Sequence, residues 1–175
     1  MDELFKNNAY RILEIFIEFP NEDFSVRGIA RKLKLNHATV LKYVNDLLKL
    51  GLINKKEETL YPTYYANTEN LKYKKYKQER IIFKINESGL INFIQKQTLA
   101  SSIILFGSCA KGVFTEKSDI DIFVESEEQR LDIQKYERIL NKKVNLLFES
   151  KINNLSKELR NNLINGIVLY GFIKI

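Results

Sequence analysis

Residues Ile103 to Val124, IILFGSCAKGVFTEKSDIDIFV, constrain this chain more than any other stretch. An apolar run ends in Gly107 and Ser108, and a second apolar run carries Asp119 and Asp121 one residue apart. Both runs read as β-strands. Because successive strand side chains alternate faces, Asp119 and Asp121 project the same way, roughly 7 Å apart along the strand, while Ile120, Ile122 and Val124 point into a core. A short turn joining the two runs makes them antiparallel. The segment KKVNLLFE, Lys142 to Glu149, supplies a neighbouring strand with Lys143, Asn145, Leu147 and Glu149 on one face and Val144, Leu146 and Phe148 on the other.

Two carboxylates that close repel, and a bound divalent cation relieves the repulsion. For carboxylate ligands beside phosphate that cation is Mg2+ or Mn2+. Two such ions about 3.5 to 4 Å apart can polarise an attacked phosphate and steady the leaving oxygen. Gly107 permits a tight turn, Ser108 offers a hydroxyl, and amides after the turn can hold phosphate oxygens. Gly-Ser and Asp-Xaa-Asp are each common on protein surfaces. Their combination, in this order between two strands, points to a nucleoside triphosphate held with its metal ions.

The pattern Gly107-Ser108, spacer, Asp119-Ile120-Asp121 resembles the nucleotidyltransferase superfamily that includes DNA polymerase beta, and within it the small stand-alone minimal nucleotidyltransferases. The late segment NGIVLYG, Asn165 to Gly171, is similar to the closing segment of those proteins, and the resemblance covers about the last 95 residues. It implies that Asp119 and Asp121 are metal ligands and catalytic residues, that Gly107, Ser108 and Lys111 bind the β- and γ-phosphates, and that the nucleotide is ATP. It also implies a third carboxylate on the neighbouring strand. That position falls at Asn145, whose amide can ligate a metal but cannot accept a proton at neutral pH. Glu149 shares the face but lies about 13 Å further along an extended strand. The site is therefore expected to bind nucleotide better than it turns it over.

A different module comes first. Asn8 to Phe19 places Ile12, Leu13, Phe16 and Phe19 at helical spacing before Pro20 stops the run. A second helix follows Ser25 as N-cap, and a third runs from Asn36 to Gly51. LINKKE and LYPTYYAN then read as a hairpin with Lys55, Lys56, Glu57 and Glu58 near its tip. Three helices and a hairpin resemble the winged helix-turn-helix family, with TVLKYVNDLLKLGLI similar to its recognition helix and first wing strand. On the third helix Val40, Leu41, Val44, Leu47 and Leu48 make the packing stripe, leaving Asn36, His37, Thr39, Lys42 and Tyr43 to meet double-stranded DNA, with Lys55 and Lys56 reaching phosphate from the wing.

The expected organisation is thus a winged helix-turn-helix over residues 1–66, a basic helical connector over 67–80, and a nucleotidyltransferase-like domain over 81–175, an α/β (α+β) chain whose C-terminal sheet is mixed. In the connector Lys72, Lys74, Lys75, Lys77 and Arg80 interleave with Tyr73 and Tyr76, a charged face or a phosphate-contacting or interdomain strut. Downstream, Ile81, Ile82, Ile85, Leu90, Ile91 and Phe93 form an apolar stripe that Gly89 bends or divides. SEEQ, Ser126 to Gln129, reads as a capping box opening a helix to about Asn141, with Leu131, Tyr136, Ile139 and Leu140 inward. Another helix spans about Asn153 to Asn165.

The formal charge of +6 favours anionic partners without choosing among them. The single cysteine, Cys109, excludes an intrachain disulfide and lacks a nearby base, so it is read as structural. With no signal peptide or long apolar span, a cytoplasmic protein without membrane contact is expected. Two functions follow. One is a DNA-binding protein whose second domain transfers AMP from ATP to a hydroxyl acceptor. For that acceptor the resemblance to minimal nucleotidyltransferases acting as antitoxins suggests a helical toxin-like protein. The other is a nonenzymatic transcription regulator, a homodimer included, in which the nucleotidyltransferase-like domain senses nucleotide or dimerises.

Overall fold

The computed structural model describes residues 7–57 and 61–173. They form two compact units, dividing between Lys74 and Lys75. Glu58 of the expected hairpin tip lies outside the described residues.

In the first unit α1 (Asn8–Glu18) is capped by Asn7, whose side chain accepts from the Ala9 amide, and it buries Ile12, Leu13, Ile15, Phe16 and Ile17. A two-residue strand β1 (Phe24–Ser25) leads into α2 (Val26–Leu33), with the expected Ser25 cap accepting from Gly28 N–H at 3.1 Å. Helix α3 (His37–Lys49) follows, then β2 (Ile53–Lys56) and β3 (Thr63–Ala66). The strands pair antiparallel in the order β1-β3-β2. Val40, Val44 and Leu47 face the core as their spacing predicts, but Leu41 is 38% exposed, one step around the helix from that stripe.

Tyr73 belongs to this core too. The basic-connector reading put it in a charged strip, a solvated face or a strut; instead it is 1% exposed and its hydroxyl donates to the Phe16 carbonyl at 2.7 Å. The reason is local. The Phe16 carbonyl sits in the last turn of α1, where its helical partner would be the amide four residues on, and that residue is Pro20, which has none. The phenol takes the proline's place.

The second unit opens within α4 (Leu71–Ser88), whose start is set by Asn70 accepting from the Lys72 and Tyr73 amides. Gly89, at φ +78°, ends it and α5 (Leu90–Thr98) begins, so the glycine divides the stripe as expected. Ile81, Ile85, Leu90, Ile91 and Ile94 are buried against a four-stranded sheet. Its strands are β4 (Ser102–Phe106), β5 (Ile120–Glu125), β6 (Val144–Glu149) and β7 (Ile167–Gly171), in the order β6-β5-β4-β7, with β5 and β6 parallel and the other pairs antiparallel. The sheet is mixed, as read. The link between β4 and β5 is no short turn: a one-turn helix α6 (Gly107–Lys111) and a loop intervene.

Alternation gives the sheet two faces. Ile103, Leu105, Ile120, Ile122, Val124 and Val144 pack toward α4 and α5, while Ile104 and Phe123 join Ile152 and Leu163 on the other side. Two helices differ from expectation. The capping box at Ser126 opens nothing; α7 is only Gln134–Leu140, started by Asp132 accepting from the Gln134 amide. Residues 126–130 are all polar, so no apolar face holds them as a helix. Leu131 and Tyr136 pack on the core and Leu140 is buried, but Ile139 is 56% exposed. Near the C-terminus a 3-10 turn at Ile152–Asn154 precedes α8 (Lys157–Ile164), which starts late because Ser156 caps it. Among the described residues no helix is long and apolar enough to cross a membrane.

Replacing Tyr73 by Phe keeps the buried ring and strands the Phe16 carbonyl. We expect a loss of about 1–3 kcal/mol, read by urea unfolding. Tyr76→Phe, on the exposed side of the same helix, should change stability by less than about 0.5 kcal/mol.

Candidate active site and the chain it belongs to

The site sits where β4, β5 and β6 end side by side. Asp121 lies on β5 with Phe106 of β4 opposite on one side and Asn145 of β6 in parallel register on the other. Directly paired residues share a face, so the Asn145 side chain stands beside Asp121. Its amide nitrogen donates to Asp121 Oδ1 at 3.0 Å and to Asp119 Oδ2 at 3.3 Å. The two carboxylates therefore converge on one point. An amide donor there softens a repulsion that a cation would otherwise have to relieve.

Gly107 stands against the same carboxylate. Its φ is +70°, and a Cβ built on it would meet Asp121 Oδ2 at 2.4 Å. Both the backbone conformation and the lack of room require glycine there. Ser108 and Lys111 follow on α6, Ser108 half-buried and Lys111 exposed. Cys109 points the other way: buried, it donates from its thiol to the Asp119 carbonyl at 3.4 Å. Burial pushes that thiol up to about 11, so it stays protonated and the structural reading of it fits.

Glu149 is at the far end of β6, opposite Glu125, where Asn154 and Ser150 donate to it and hold its carboxyl below the usual range. It takes no part in the Asp119 and Asp121 cluster. Among the described residues no three His, Cys, Asp or Glu gather as a metal cage. Two carboxylates and one amide suit a hard divalent ion that completes its shell with water and phosphate oxygens.

One side chain escaped sequence reasoning. Lys142, read only as the start of a strand, donates from its ammonium to the carbonyls of Thr115, Glu116 and Ser118 at 2.8, 3.0 and 3.0 Å, on the segment entering Asp119. Partners 24 to 27 positions away leave no signal in a linear pattern. Lys77, from the supposed phosphate-contacting strip, is 2% exposed with its ammonium 4.6 Å from the Phe114 ring centre. Burial, then Lys142, lowers it to about 8.

In the first unit Asn36 caps α3 by accepting from the Thr39 amide at 2.7 Å, so its side-chain oxygen is engaged. His37 is exposed and lines a cavity of about 620 Å3 with Arg27, Leu41 and Tyr61. Lys42 is exposed, whereas Thr39 and Tyr43 are half-buried. Lys55 contacts Glu57, and Lys56 lies 3.9 Å from Asp23.

Residues 87–170, the end of α4 through nearly all of β7, match the model of the nucleotidyltransferase domain. The protein named "Putative protein adenylyltransferase MJ1379", from Methanocaldococcus jannaschii, is 42% identical over 73 residues, a match covering 36% of this chain and 73% of that protein. This chain belongs to the nucleotidyltransferase domain family. The family generally works on nucleoside triphosphates with a divalent metal, and Gly107, Ser108, Lys111, Asp119, Asp121 and Asn145 all fall inside the matched region. A solved structure, the IclR of Thermotoga maritima, is similar at 22% identity over 57% of this chain and 38% of its own, with a TM-score of 0.32. That likeness is too slight to characterise either unit.

In the nucleotidyltransferase domain, Gly107→Ala should cost about 1–2 kcal/mol through its left-handed backbone and displace the Asp121 carboxylate. Part of the cost should vanish in the Asp121→Ala background, where the obstructing oxygen is gone. A double-mutant cycle by chemical unfolding measures the coupling, expected at about 0.5 kcal/mol or more; strict additivity would mean the two groups do not meet.

Proposed function

We propose that the C-terminal domain binds ATP with Mg2+ and transfers AMP to a hydroxyl on a protein. The observation that carries this reading is the convergence of Asp119 and Asp121 on one amide, directly against the Gly107 turn. Asp119 and Asp121 hold the metal, with the Asn145 side-chain oxygen available when its amide turns over. Gly107, Ser108 and Lys111 face the β- and γ-phosphates. Magnesium, when bound, supplies Lewis-acid stabilisation of charge on the phosphoryl oxygens. The acceptor oxygen bonds to the α-phosphorus as the bond to the bridging oxygen breaks and pyrophosphate leaves. Asn145 cannot take the hydroxyl proton, so its acceptors are the carboxylates of Asp119 and Asp121 or water. AMP and a protein acceptor are supported by the printed name of the archaeal relative.

The N-terminal unit we read as a winged helix-turn-helix that binds double-stranded DNA. Support comes from the order α1, β1, α2, α3, β2, β3 and from exposed His37 and Lys42 on α3. The capping role of Asn36 and the acids beside Lys55 and Lys56 narrow the contact set to His37, Lys42 and the outer edges of Thr39 and Tyr43.

Asn145 also favours a second reading, a transcription regulator whose nucleotidyltransferase domain binds nucleotide without turning it over. Incubation with α-labelled ATP, Mg2+ and cell extract separates the two. Transfer that falls at least a hundredfold in Asp121→Ala supports the enzyme, while binding without transfer supports the regulator. Asn145→Asp adds a proton acceptor beside the acceptor hydroxyl, a change that contributes on the order of 10²-fold where general-base catalysis operates. We expect that variant to raise transfer while lowering the melting temperature in EDTA, since a third carboxylate joins two.

For the first unit, duplex binding by gel shift should weaken with salt, and Lys42→Ala should reduce the slope by about 1. Binding that ignores salt would remove phosphate contact from the reading.

A further inference from the structure

Asp119 is the weakly anchored member of the pair. It precedes the first residue of β5, so the sheet ladder that fixes Asp121 does not reach it. The segment before it, Gly112 to Ser118, is loop. Left to that loop, a carboxylate would sample many positions, and metal sites lose affinity when their ligands wander by an ångström.

Besides the Asn145 amide on the Asp119 carboxylate, three groups from elsewhere hold the segment's backbone. The Ile120 amide donates to the Lys143 carbonyl at 2.9 Å, fixing the residue after Asp119. The Cys109 thiol donates to the carbonyl of Asp119 itself. The Lys142 ammonium takes the carbonyls of Thr115, Glu116 and Ser118, the last being the residue before Asp119. An ammonium has three hydrogens, and these three carbonyls use all of them. Lys142 is therefore not free to reach a phosphate; it works as a fixed cation in a nest of backbone oxygens.

The lysine is itself held in place. Asn141, at φ +52°, ends α7, the Lys142 amide donates to the Glu137 carbonyl at 3.2 Å, and the Val144 amide donates to the Glu137 carboxylate at 3.0 Å. The Lys142 and Lys77 ammonium groups lie 5.4 and 4.6 Å from the centre of the Phe114 ring, which ties the start of the loop to the same point.

We propose that Lys142 is a positioning residue of the nucleotidyl-transfer site, clamping the Thr115–Ser118 backbone so that Asp119 meets Asp121 at the metal position. The proposal rests on the reading of Asp119 and Asp121 as metal ligands. Its positive charge also lies within electrostatic reach of Asp119. The clamp acts through backbone carbonyls, so a lysine's charge and reach both matter, and methionine, of similar length and uncharged, breaks it.

The test uses the full-length protein and two readouts that need no turnover. Mn2+ alone is titrated by electron paramagnetic resonance, and backbone amide exchange is followed by mass spectrometry. In Lys142→Met, exchange should quicken at least tenfold over residues 113–119 with little change in β4, β5 and β6, and the Mn2+ dissociation constant should rise at least fivefold. Lys142→Arg, which keeps the charge and the donors, should recover part of both. Lys135→Met removes a like charge from the exposed side of α7 and should alter neither. Unchanged Mn2+ affinity in Lys142→Met, or exchange quickened evenly across the whole sheet, overturns the proposal, because the lysine would then be general stability and not alignment. Failure of the unaltered protein to bind Mn2+ overturns the metal reading of the aspartates instead, and the exchange data still decide whether Lys142 holds the loop.

Discussion

The second domain is organised around a repulsion. Two carboxylates of like charge are brought within hydrogen-bond distance of a single amide nitrogen, an arrangement that costs free energy unless something positive or proton-donating occupies the point between them. The register of β5 against β6 sets Asp121 beside Asn145, and the contacts on the segment before Ile120 bring Asp119 to the same amide. Pairing Asp121 with Asn145 sets Phe123 against Leu147 and Ile122 against Leu146, so a slip of one residue would turn apolar side chains into water on both faces of the sheet. The hydrophobic core on one face and the smaller cluster around Ile104, Phe123, Ile152 and Leu163 on the other hold that register. Packing energy is thus what stabilises an otherwise unfavourable charge pair.

The same crowded point explains two small residues. Gly107 is needed because the Asp121 carboxylate already fills the space a methyl would take. Cys109, two residues on, is small enough to bury and carries a weak donor that reaches the Asp119 carbonyl. With α6 so short, these residues do not form a helix in any energetic sense. They form a bracket, with Gly107 against one aspartate and Cys109 against the backbone of the other.

Much of this was legible in the residues. Alternation placed Asp119 and Asp121 on one face, because the period of a strand is exact and the flanking residues are strongly apolar, and the family resemblance put Asn145 on the strand beside them. The helix boundaries set by Ser25 and Gly89 were legible for the same reason, that each is a local rule. What failed was anything whose cause is distant. Tyr73 looked like part of a basic strip because its partner, the Phe16 carbonyl, is 57 positions away. Lys77 looked like part of a charged strip and Lys142 like no more than the start of a strand, and both lie against Phe114. The capping box at Ser126 failed differently: the motif was present, but a cap lowers the cost of starting a helix only where an apolar face can then hold it, and residues 126–130 have none.

Asn145 bears on function in a way that geometry and chemistry decide together. As an amide donor it holds the two carboxylates close to one point. A carboxylate in its place would repel both neighbours until an ion arrived. The cost of that preorganisation is the proton acceptor, since an amide cannot take a hydroxyl proton. On the proposed reading, a hydroxyl acceptor has to surrender its proton to Asp119, to Asp121 or to solvent. Acceptors whose hydroxyl is already acidified, a phenol before an aliphatic alcohol, suit such a site best, because less of the barrier then depends on a base the domain lacks.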